Sequence, residues 1–393
     1  MTISARVKQQ MDSASWIRKM FEEGEELKRK VGADAVFDFS LGNPIAEPPP
    51  QFHEVLAKLV QEAPSGSHRY MPNAGFPEVR AAIAAWLSER SQRPFLPERI
   101  LMACGAGGGL NITLKALLDP GDEVVIFAPY FVEYLFYVDN HGGKVRVAET
   151  TDRFDLDVND LEKVLSPRTK AVIINSPNNP TGRLYPAEAL ATLGDSLRRA
   201  SEKRKEPIYL ISDEPYRQIL FDGLVAPDVF DAYSHTILVT SHSKDLSIPG
   251  ERIGFVAVGP DCADAAELAG AMTFANRILG FVNAPALMQR ASARLQGVTV
   301  DPRVYQRKRD IIAPALKEMG YEVAQPEGAF YVFPKSPIDD DVRFTHLLLE
   351  ENILVVPGTG FGRPGHFRIS FCVPDEVIAS SLPGFRKALE STR

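Results

Sequence analysis

Apolar segments that alternate with helices constrain the fold of this chain more than any other feature. Four runs rich in Val, Ile and Leu have the length of buried strands, and helical stretches lie between them. Strands that are apolar along their whole length are typical of a parallel sheet covered on both faces. The sequence therefore predicts an α/β fold with a largely parallel sheet, whose central runs are Glu123–Phe127, Lys170–Ile174, Ile208–Ser212 and Thr236–Thr240.

The polar residues that can carry chemistry follow these runs directly. Tyr130 comes after the first run, Asn179 after the second, Asp213 and Tyr216 after the third, and Lys244 after the fourth. Ligands of such sheets bind beyond the carboxyl ends of the strands. We therefore expect these side chains to meet at one edge of the sheet.

The segment around Lys244 combines an amine, hydroxyls and a guanidinium. In Ser241-His242-Ser243-Lys244 the lysine lies beside two hydroxyls, and Arg252 follows eight residues later. A lysine can form a Schiff base with an aldehyde, while hydroxyls and a bidentate cation hold a phosphate. The turn Gly105-Ala106-Gly107 at a helix start offers backbone N–H groups to an anion. These groups suit an aldehyde cofactor with a phosphate; the alternatives are a solvated lysine and arginine and a simple tight turn.

Five other side chains fit the same cofactor or a carboxylate substrate. Asp213 can pair with a protonated ring nitrogen, or it caps a helix. Asn179 and Tyr216 can hydrogen-bond a ring oxygen, or they occupy a turn and the surface. Tyr130 can stack on a flat ring, or it belongs to the core. Arg368, in the strand Phe367–Phe371, can bind a carboxylate bidentately, or it forms a buried salt bridge.

Composition excludes several classes of function. The chain has 393 residues, enough for two or three domains, and its net charge of −7 argues against nucleic acid as a partner. Three cysteines lie far apart, in neither a metal spacing nor a disulfide framework. No apolar run approaches the roughly 18 residues that a membrane span needs. We expect a cytoplasmic protein without a metal site or a membrane partner.

The pattern changes after residue 290. Short strands there alternate with predicted helices near 302–319, 341–351 and 375–390. This predicts a smaller α+β domain at 291–393, after a large ligand-binding domain at 49–290. The N-terminal segment, 1–48, is expected to pack with the small domain.

The motifs, taken in order, resemble the class I/II aminotransferases, pyridoxal-phosphate enzymes of the aspartate aminotransferase family, essentially from end to end. The resemblance implies fold type I, in which a mostly parallel sheet of seven-strand type is covered by helices and joined to a smaller α+β domain. It also implies pyridoxal 5′-phosphate as the cofactor. The motifs are Leu41-Gly42-Asn43-Pro44, Tyr70, Asn179-Pro180-Thr181-Gly182, Asp213-Glu214-Pro215-Tyr216, Ser241-His242-Ser243-Lys244, Arg252-Ile253-Gly254, Gly328-Ala329-Phe330-Tyr331 and Arg368-Ile369-Ser370.

The resemblance implies a role for each site residue. Lys244 would be the Schiff-base lysine and catalytic base, and Asp213 the partner of the pyridine nitrogen. Tyr70 would reach the phosphate of the neighbouring subunit in a homodimer with shared sites. For the rest, Asn179 and Tyr216 would bind the phenolate oxygen, Tyr130 would stack on the ring, Ser241, Ser243, Arg252 and the turn Gly105-Ala106-Gly107 would bind phosphate, and Arg368, with Gly42 and Asn179 nearby, would bind the α-carboxylate.

Two positions depart from the family pattern. The phosphate turn, Ala106-Gly107-Gly108, lacks the hydroxyl or lysine side chain that some relatives have, so only its backbone can contact phosphate. Pro215 stands where an aliphatic residue is more usual, which should stiffen the approach to Tyr216.

The expected reaction moves the α-amino group between an L-amino acid and a 2-oxo acid, with aspartate and 2-oxoglutarate as the leading pair. A dicarboxylate needs a second cation. Arg277 of the partner subunit is the candidate, with Arg69 and Lys19 behind it; otherwise Arg277 is a solvated helix residue. Aromatic or broad specificity, and β-lyase or decarboxylase chemistry, stay open. A regulator that only binds the cofactor is disfavoured because no DNA-binding domain is attached.

Overall fold

A seven-stranded sheet forms the centre of the molecule. The computed structural model describes residues 2–12, 16–63 and 65–392. The strand order is β2-β8-β7-β6-β5-β3-β4, and only β8 runs antiparallel to its neighbours. The prediction of a mostly parallel, seven-stranded α/β fold is therefore confirmed. The strands of the described chain are β1 (Phe37–Asp38), β2 (Ile100–Ala103), β3 (Glu123–Ala128), β4 (Lys144–Glu149), β5 (Thr169–Asn175), β6 (Tyr209–Asp213), β7 (Thr236–Ser241), β8 (Gly254–Val258), β9 (Tyr331–Val332), β10 (Ile353–Leu354), β11 (Val356–Pro357) and β12 (Phe367–Ser370).

Helices cover both faces of this sheet. Successive residues of one strand pack into two different apolar clusters: Val125 and Phe127 contact one, Val124 and Ile126 the other. This alternation is what a strand buried on both faces requires. The α-helices are α1 (Ala5–Asp12), α2 (Trp16–Val31), α3 (Pro50–Gln61), α4 (Pro77–Ser91), α5 (Gly105–Leu117), α6 (Glu133–Asn140), α7 (Val158–Val164), α8 (Ala187–Arg204), α9 (His242–Asp245), α10 (Ala265–Ile278), α11 (Ala286–Arg294), α12 (Arg303–Met319), α13 (Asp341–Glu350) and α14 (Asp375–Glu390).

The direction of the strands decides which loops meet. The parallel strands β5, β6 and β7 end side by side, with Asn175 opposite Asp213 in the register. Because β8 is antiparallel, it begins at this same edge, with Gly254 opposite both Ala103 and Ser241. Residues at the ends of β2, β3, β5, β6 and β7 and at the start of β8 are therefore gathered at one edge.

A second apolar core lies in the C-terminal part of the chain. Strands β11, β12 and β9 form a small antiparallel sheet there, with Phe330, Phe344 and Phe367 fully buried beside it. The N-terminal strand β1 joins this region by pairing in parallel with β10, Phe37 opposite Ile353. The domain boundaries at residues 48 and 290 stay predictions. Within the described ranges no helix is long and apolar enough to span a membrane.

Candidate active site

A cleft of about 300 Å³ opens at the gathered strand ends. Most of the residues predicted for the site line it, together with several that the sequence did not single out. Its lining consists of Gly42, Ala106, Gly107, Leu110, Phe131, Tyr137, Asn175, Asn179, Asp213, Pro215, Tyr216, Ser241, Ser243, Lys244, Pro249, Arg252, Tyr331 and Arg368.

Lys244 supplies the amine of the cleft. It lies on the one-turn helix α9, which follows β7 without a loop. Its Nζ donates a hydrogen bond of 2.8 Å to the carbonyl oxygen of Gly42 and lies 5.5 Å from the ring centre of Phe330. Burial lowers the pKa of Lys244 to about 8, and the positive charges of Arg252 and Arg368 act in the same direction. A sizeable fraction of the amine is therefore neutral and nucleophilic near physiological pH.

Asp213 is a buried carboxylate with one free oxygen. It ends β6 and is 5% exposed. Its Oδ2 accepts a 2.6 Å hydrogen bond from Tyr134, whereas the buried Oδ1 has no hydrogen-bond partner among the described residues. Burial raises the pKa of Asp213 to about 7; the hydrogen bond from Tyr134 opposes this shift. An unsatisfied buried acceptor of this kind fits a protonated ring nitrogen, which would supply the missing donor and favour the ionised form.

Arg368 is a buried cation that lacks an acidic partner. Its side chain is 2% exposed and lies between the rings of Tyr331 and Phe361, at 4.9 and 4.8 Å. It donates to Asn179 Oδ1 at 3.1 Å and to the carbonyl oxygen of Ser40, while its Nε has no acceptor. No carboxylate of the described chain forms an ion pair with it. A buried guanidinium with an unused donor fits the carboxylate of a ligand.

Two tyrosines close the cleft over Gly42. The hydroxyls of Tyr216 and Tyr331 are 2.8 Å apart, and the two rings meet edge to face. A Cβ atom on Gly42 would lie 2.0 Å from the hydroxyl of Tyr331. Only glycine fits there. The reason is the lack of space beside Tyr331 and not a backbone conformation that other residues avoid. Tyr331 was not among the predicted site residues.

The opposite end of the cleft is built for an anion. Helix α5 begins at Gly105, so the first N–H groups of a 13-residue helix face this corner. Gly105 has φ +72°, and a Cβ there would lie 2.9 Å from Arg252 Nη2. Arg252 is exposed, and its hydrogen bond goes to the carbonyl of Pro249 at 2.8 Å rather than to a carboxylate. With the hydroxyls of Ser241 and Ser243, these groups fit a phosphate.

Tyr130, which was expected to stack on a ring, is not among the residues that line the cleft. Its ring packs against Gly362, where an added Cβ would lie 2.5 Å away. The next residue, Phe131, lines the cleft instead, and so does Tyr137. The strand-end position alone could not separate two neighbouring aromatic residues, because α6 follows at once and sets which ring turns inward.

Other predicted residues also lie outside this cleft. Tyr70 is 91% exposed, and Arg277, in the last turn of α10, is also exposed and has no ion pair within the described chain. Arg69 is exposed beside Tyr70, and the side chain of Lys19 lies outside the described residues. One chain thus brings together the residues expected to bind the cofactor and the α-carboxylate of the substrate. It does not bring to them Arg277, the cation expected to bind the substrate side chain.

Comparison with known proteins gives consistent results. The sequence model of the family described as "Aminotransferase class I and II" matches residues 35–382. The chain is 34% identical over 368 residues to the aspartate/prephenate aminotransferase of Thermus thermophilus, covering 92% of each protein. Its structure is similar to that of an amino transferase from Eubacterium rectale, with TM-score 0.95 and 39% identity over 100% and 99% of the chains. It also resembles T. thermophilus aspartate aminotransferase with maleate, with TM-score 0.85 and 30% identity over 99% and 100%.

Proposed function

This chain belongs to the class I and II aminotransferases, and on that premise we propose that the cleft is its active site and that Lys244 is the residue that binds the cofactor. The protein is a transaminase, and its cofactor is pyridoxal 5′-phosphate. When bound, the cofactor supplies an aldehyde carbon that bonds to amines and a ring that accepts electrons from the α-carbon of the substrate.

One observation carries the residue assignment: a lysine with a lowered pKa, a buried carboxylate with a free oxygen and an arginine without an acidic partner line the same cleft. Lys244 Nζ takes the α-proton of the amino acid, since its neutral form is accessible near neutral pH. Asp213 Oδ1 binds the ring nitrogen. Arg368 holds the α-carboxylate of the substrate and so orients the bond to the α-proton.

The other lining residues hold the cofactor in place. In the proposed arrangement one group binds the phosphate, a second binds the ring oxygen and one aromatic residue covers the ring face. Phe131 takes the stacking role in place of Tyr130 because Phe131 lines the cleft. The residues that bind the phosphate are Arg252, Ser241, Ser243 and the backbone of Gly105, Ala106 and Gly107. The residues that bind the ring oxygen are Asn179 and Tyr216.

A homodimer is the proposed assembly. Phe274 and Ile278, four residues apart on α10, are 62% and 51% exposed and so lie on the same side of the helix. The loop that carries Tyr70 is tied to the end of this helix, because Asn276 Nδ2 donates to the carbonyl of Asn73 at 2.8 Å. The exposed Tyr70 and Arg277 therefore sit on one connected surface that a second copy can cover. A cytoplasmic location stays a prediction.

Aspartate, with 2-oxoglutarate as acceptor, is the proposed substrate pair. The names of the relatives include aspartate, and one neighbour was solved with maleate, a dicarboxylate. The cations that line the cleft are Lys244, Arg252 and Arg368. Each already has a task, so the second carboxylate needs Arg277 of the partner subunit.

A neutral or aromatic amino acid is the second candidate. Leu41 and Ile45 lie within three residues of Gly42, whose carbonyl binds Lys244, and they are 40% and 37% exposed. Apolar residues in this position favour an apolar substrate side chain. Such a substrate would leave Arg277 without a role in binding.

A half-reaction tests the chemistry. The holoenzyme is mixed with an amino donor and no 2-oxo acid, and the cofactor absorbance and the 2-oxo acid formed are followed. An aminotransferase stops after one equivalent per chain, whereas a β-lyase or decarboxylase continues to turn over. Lys244→Ala, measured in parallel, should lose turnover; full activity in this variant would contradict the assignment of Lys244.

Mixing two defective chains tests the shared site. In a heterodimer of Lys244→Ala and Arg277→Met chains, one site carries both defects and the other carries neither. Random exchange of subunits should therefore restore aspartate transamination to about a quarter of the wild-type rate. If sites are not shared, the mixture stays at the average of the two parents.

A further inference from the structure

A second cavity, of about 340 Å³, lies behind β7, the strand that leads to Lys244. Side chains of β7 and α9 alternate between the two spaces: Ser241 and Lys244 line the active-site cleft, whereas Thr240, His242 and Asp245 line the rear cavity. His242 is the residue between the two serines of the lysine motif. It does not line the active-site cleft.

His242 is hydrogen-bonded across the helical turn on which Lys244 lies. It is 4% exposed, and its Nδ1 lies 3.0 Å from Asp245 Oδ2. Asp245 Oδ1 accepts from the backbone N–H of Leu246 at 2.7 Å. On its other side, His242 Nε2 lies 3.4 Å from Gln296 Nε2. The imidazole therefore spans from α9 to the segment that follows α11.

These contacts fit one tautomer of the ring. Gln296 Nε2 is a donor, and it also donates to the carbonyl of Ser292 at 2.9 Å. His242 Nε2 must then accept, which leaves the proton on Nδ1, where it is donated to Asp245. Among the other charged groups at the cavity, Glu214 Oε2 accepts from Arg217 Nη1 at 3.0 Å, and Arg90 lies 3.6 Å from Asp228 Oδ2.

The backbone of Asp245 is bound to the same segment. Its carbonyl accepts from the N–H of Val300 at 2.7 Å and from Thr299 Oγ1 at 3.2 Å. Residues 296–300 connect α11 to α12, the first helix of the C-terminal part. The turn with Lys244 is thus fixed from behind to the connection between the two cores.

Hydrogen bonds to other segments help to hold this turn. Helix α9 has four residues, and one helical turn has no stability of its own. One side of the turn borders the active-site cleft and the other borders the rear cavity. The imidazole joins residue 242 to residue 245, which spans the position of the lysine.

We propose that His242 is a positioning residue for Lys244: through Asp245 and Gln296 it holds the one-turn helix so that the amine stays aimed into the cleft. The inference rests on the proposed role of Lys244. It assigns the rear-facing histidine of the lysine motif to the orientation of the amine, without contact to substrate or cofactor.

Variants of His242 in the holoenzyme test this. Asn keeps a donor at the place of Nδ1, Gln keeps a polar group only at the place of Nε2, and Phe fills the space with neither. His242→Phe and His242→Gln should lower kcat about 10- to 100-fold with KM within about threefold, since a small displacement of a reacting group has effects of this size. His242→Asn should stay within about threefold of the wild-type kcat. The cofactor absorbance, titrated with pH in the resting enzyme, should shift its midpoint in the Phe and Gln variants only.

The control is Thr236→Val, which removes a buried hydrogen bond of 2.6 Å at the far end of the same strand. It reports the effect of a general loss of stability and should leave kcat and the pH midpoint unchanged. If the Phe or Gln variant does not fold, Asp245→Leu replaces it, because leucine offers no acceptor to Nδ1, with the same loss in kcat expected. A folded variant without the His242–Asp245 bond that keeps kcat within threefold overturns the proposal, as does an Asn variant as impaired as Phe. Lys244→Ala distinguishes failure of this proposal from failure of the proposed function. If this variant keeps full activity, the role of Lys244 itself is wrong, whatever His242 does.

Discussion

Replacing Asp213 by asparagine should stabilise the cofactor-free protein, and increasingly so as the pH rises. The pKa of Asp213 is raised from 3.8 to about 7, chiefly by burial. The group is thus protonated in the folded chain and ionised in the unfolded chain between these pH values. Its contribution to the free energy of unfolding is fully present below pH 3.8 and is lost as the pH rises through 7. Asparagine has no such dependence.

The size of the effect follows from the linkage. Each pH unit between the two pKa values costs the wild type about 1.4 kcal/mol relative to Asp213→Asn. From pH 5.5 to 8.5 about one and a half units count, which amounts to about 2 kcal/mol. With an unfolding entropy of about 2.1 cal/mol/K per residue, a chain of 393 residues loses roughly 0.8 kcal/mol per degree near its midpoint. The melting temperature of the variant should therefore gain roughly 2–3 °C on the wild type over this range.

The assay is thermal unfolding of both cofactor-free proteins at pH 5.5, 7.0 and 8.5. Asp375→Asn is the matched control: the pKa of Asp375 is lowered by its ion pairs with Lys308 and Arg307, so its titration is complete below this range. The difference between that variant and wild type should stay constant. Parallel curves for Asp213→Asn as well would refute a carboxylate that is protonated near pH 7. With cofactor present the sign should reverse, because only the wild type offers a carboxylate to the ring nitrogen.

Further predictions concern other residues of the cleft. In the cofactor-free chain, the rate at which Lys244 bonds to an aldehyde should rise about tenfold per pH unit and level off above pH 8, because its pKa is about 8 and only the neutral amine reacts; a rise that continues to pH 10 would contradict the burial effect. Gly42→Ala should lower kcat/KM at least about tenfold, since its methyl group would lie 2.0 Å from Tyr331 Oη and displace that ring. Phe131→Ala should weaken cofactor binding roughly 5- to 20-fold in a fluorescence titration, whereas Tyr130→Phe should leave it unchanged.

Much of the fold follows from the sequence because the strands are apolar on both faces. The run at Thr236–Thr240 becomes β7, and that at Lys170–Ile174 lies within β5. The antiparallel direction of β8 could not be predicted, because β8 is apolar and buried along its whole length like its parallel neighbours. The first residue of α5 could not be predicted from the helical spacing of apolar residues, which begins at Leu110. The helix begins at Gly105, where the lack of a side chain leaves room for Arg252.

The site could be predicted where a motif fixes both residue and position, as in Lys244, Asp213 and Arg368. Partners that come from distant elements could not. Tyr134 binds Asp213, 79 residues away, and Tyr331 covers Gly42 from the C-terminal core. Tyr134 stands in none of the motifs, and the motif Gly328-Ala329-Phe330-Tyr331 does not reveal that the hydroxyl of Tyr331 lies against Gly42. Their roles depend on the packing of helices against the sheet, which a sequence read in segments does not contain.

The choice of substrate and the arrangement of subunits are one question in this protein. A dicarboxylate needs a cation beyond the three that line the cleft, and Arg277 is an exposed arginine on the surface proposed to meet a second chain. Arg277→Met should then lower kcat/KM for aspartate about 100-fold and leave an aromatic donor within about threefold, since loss of one partner of a desolvated ion pair costs 2–5 kcal/mol. An equal loss for both donors would make Arg277 a residue of the interface alone. No loss for either donor would mean that Arg277 takes no part in substrate binding.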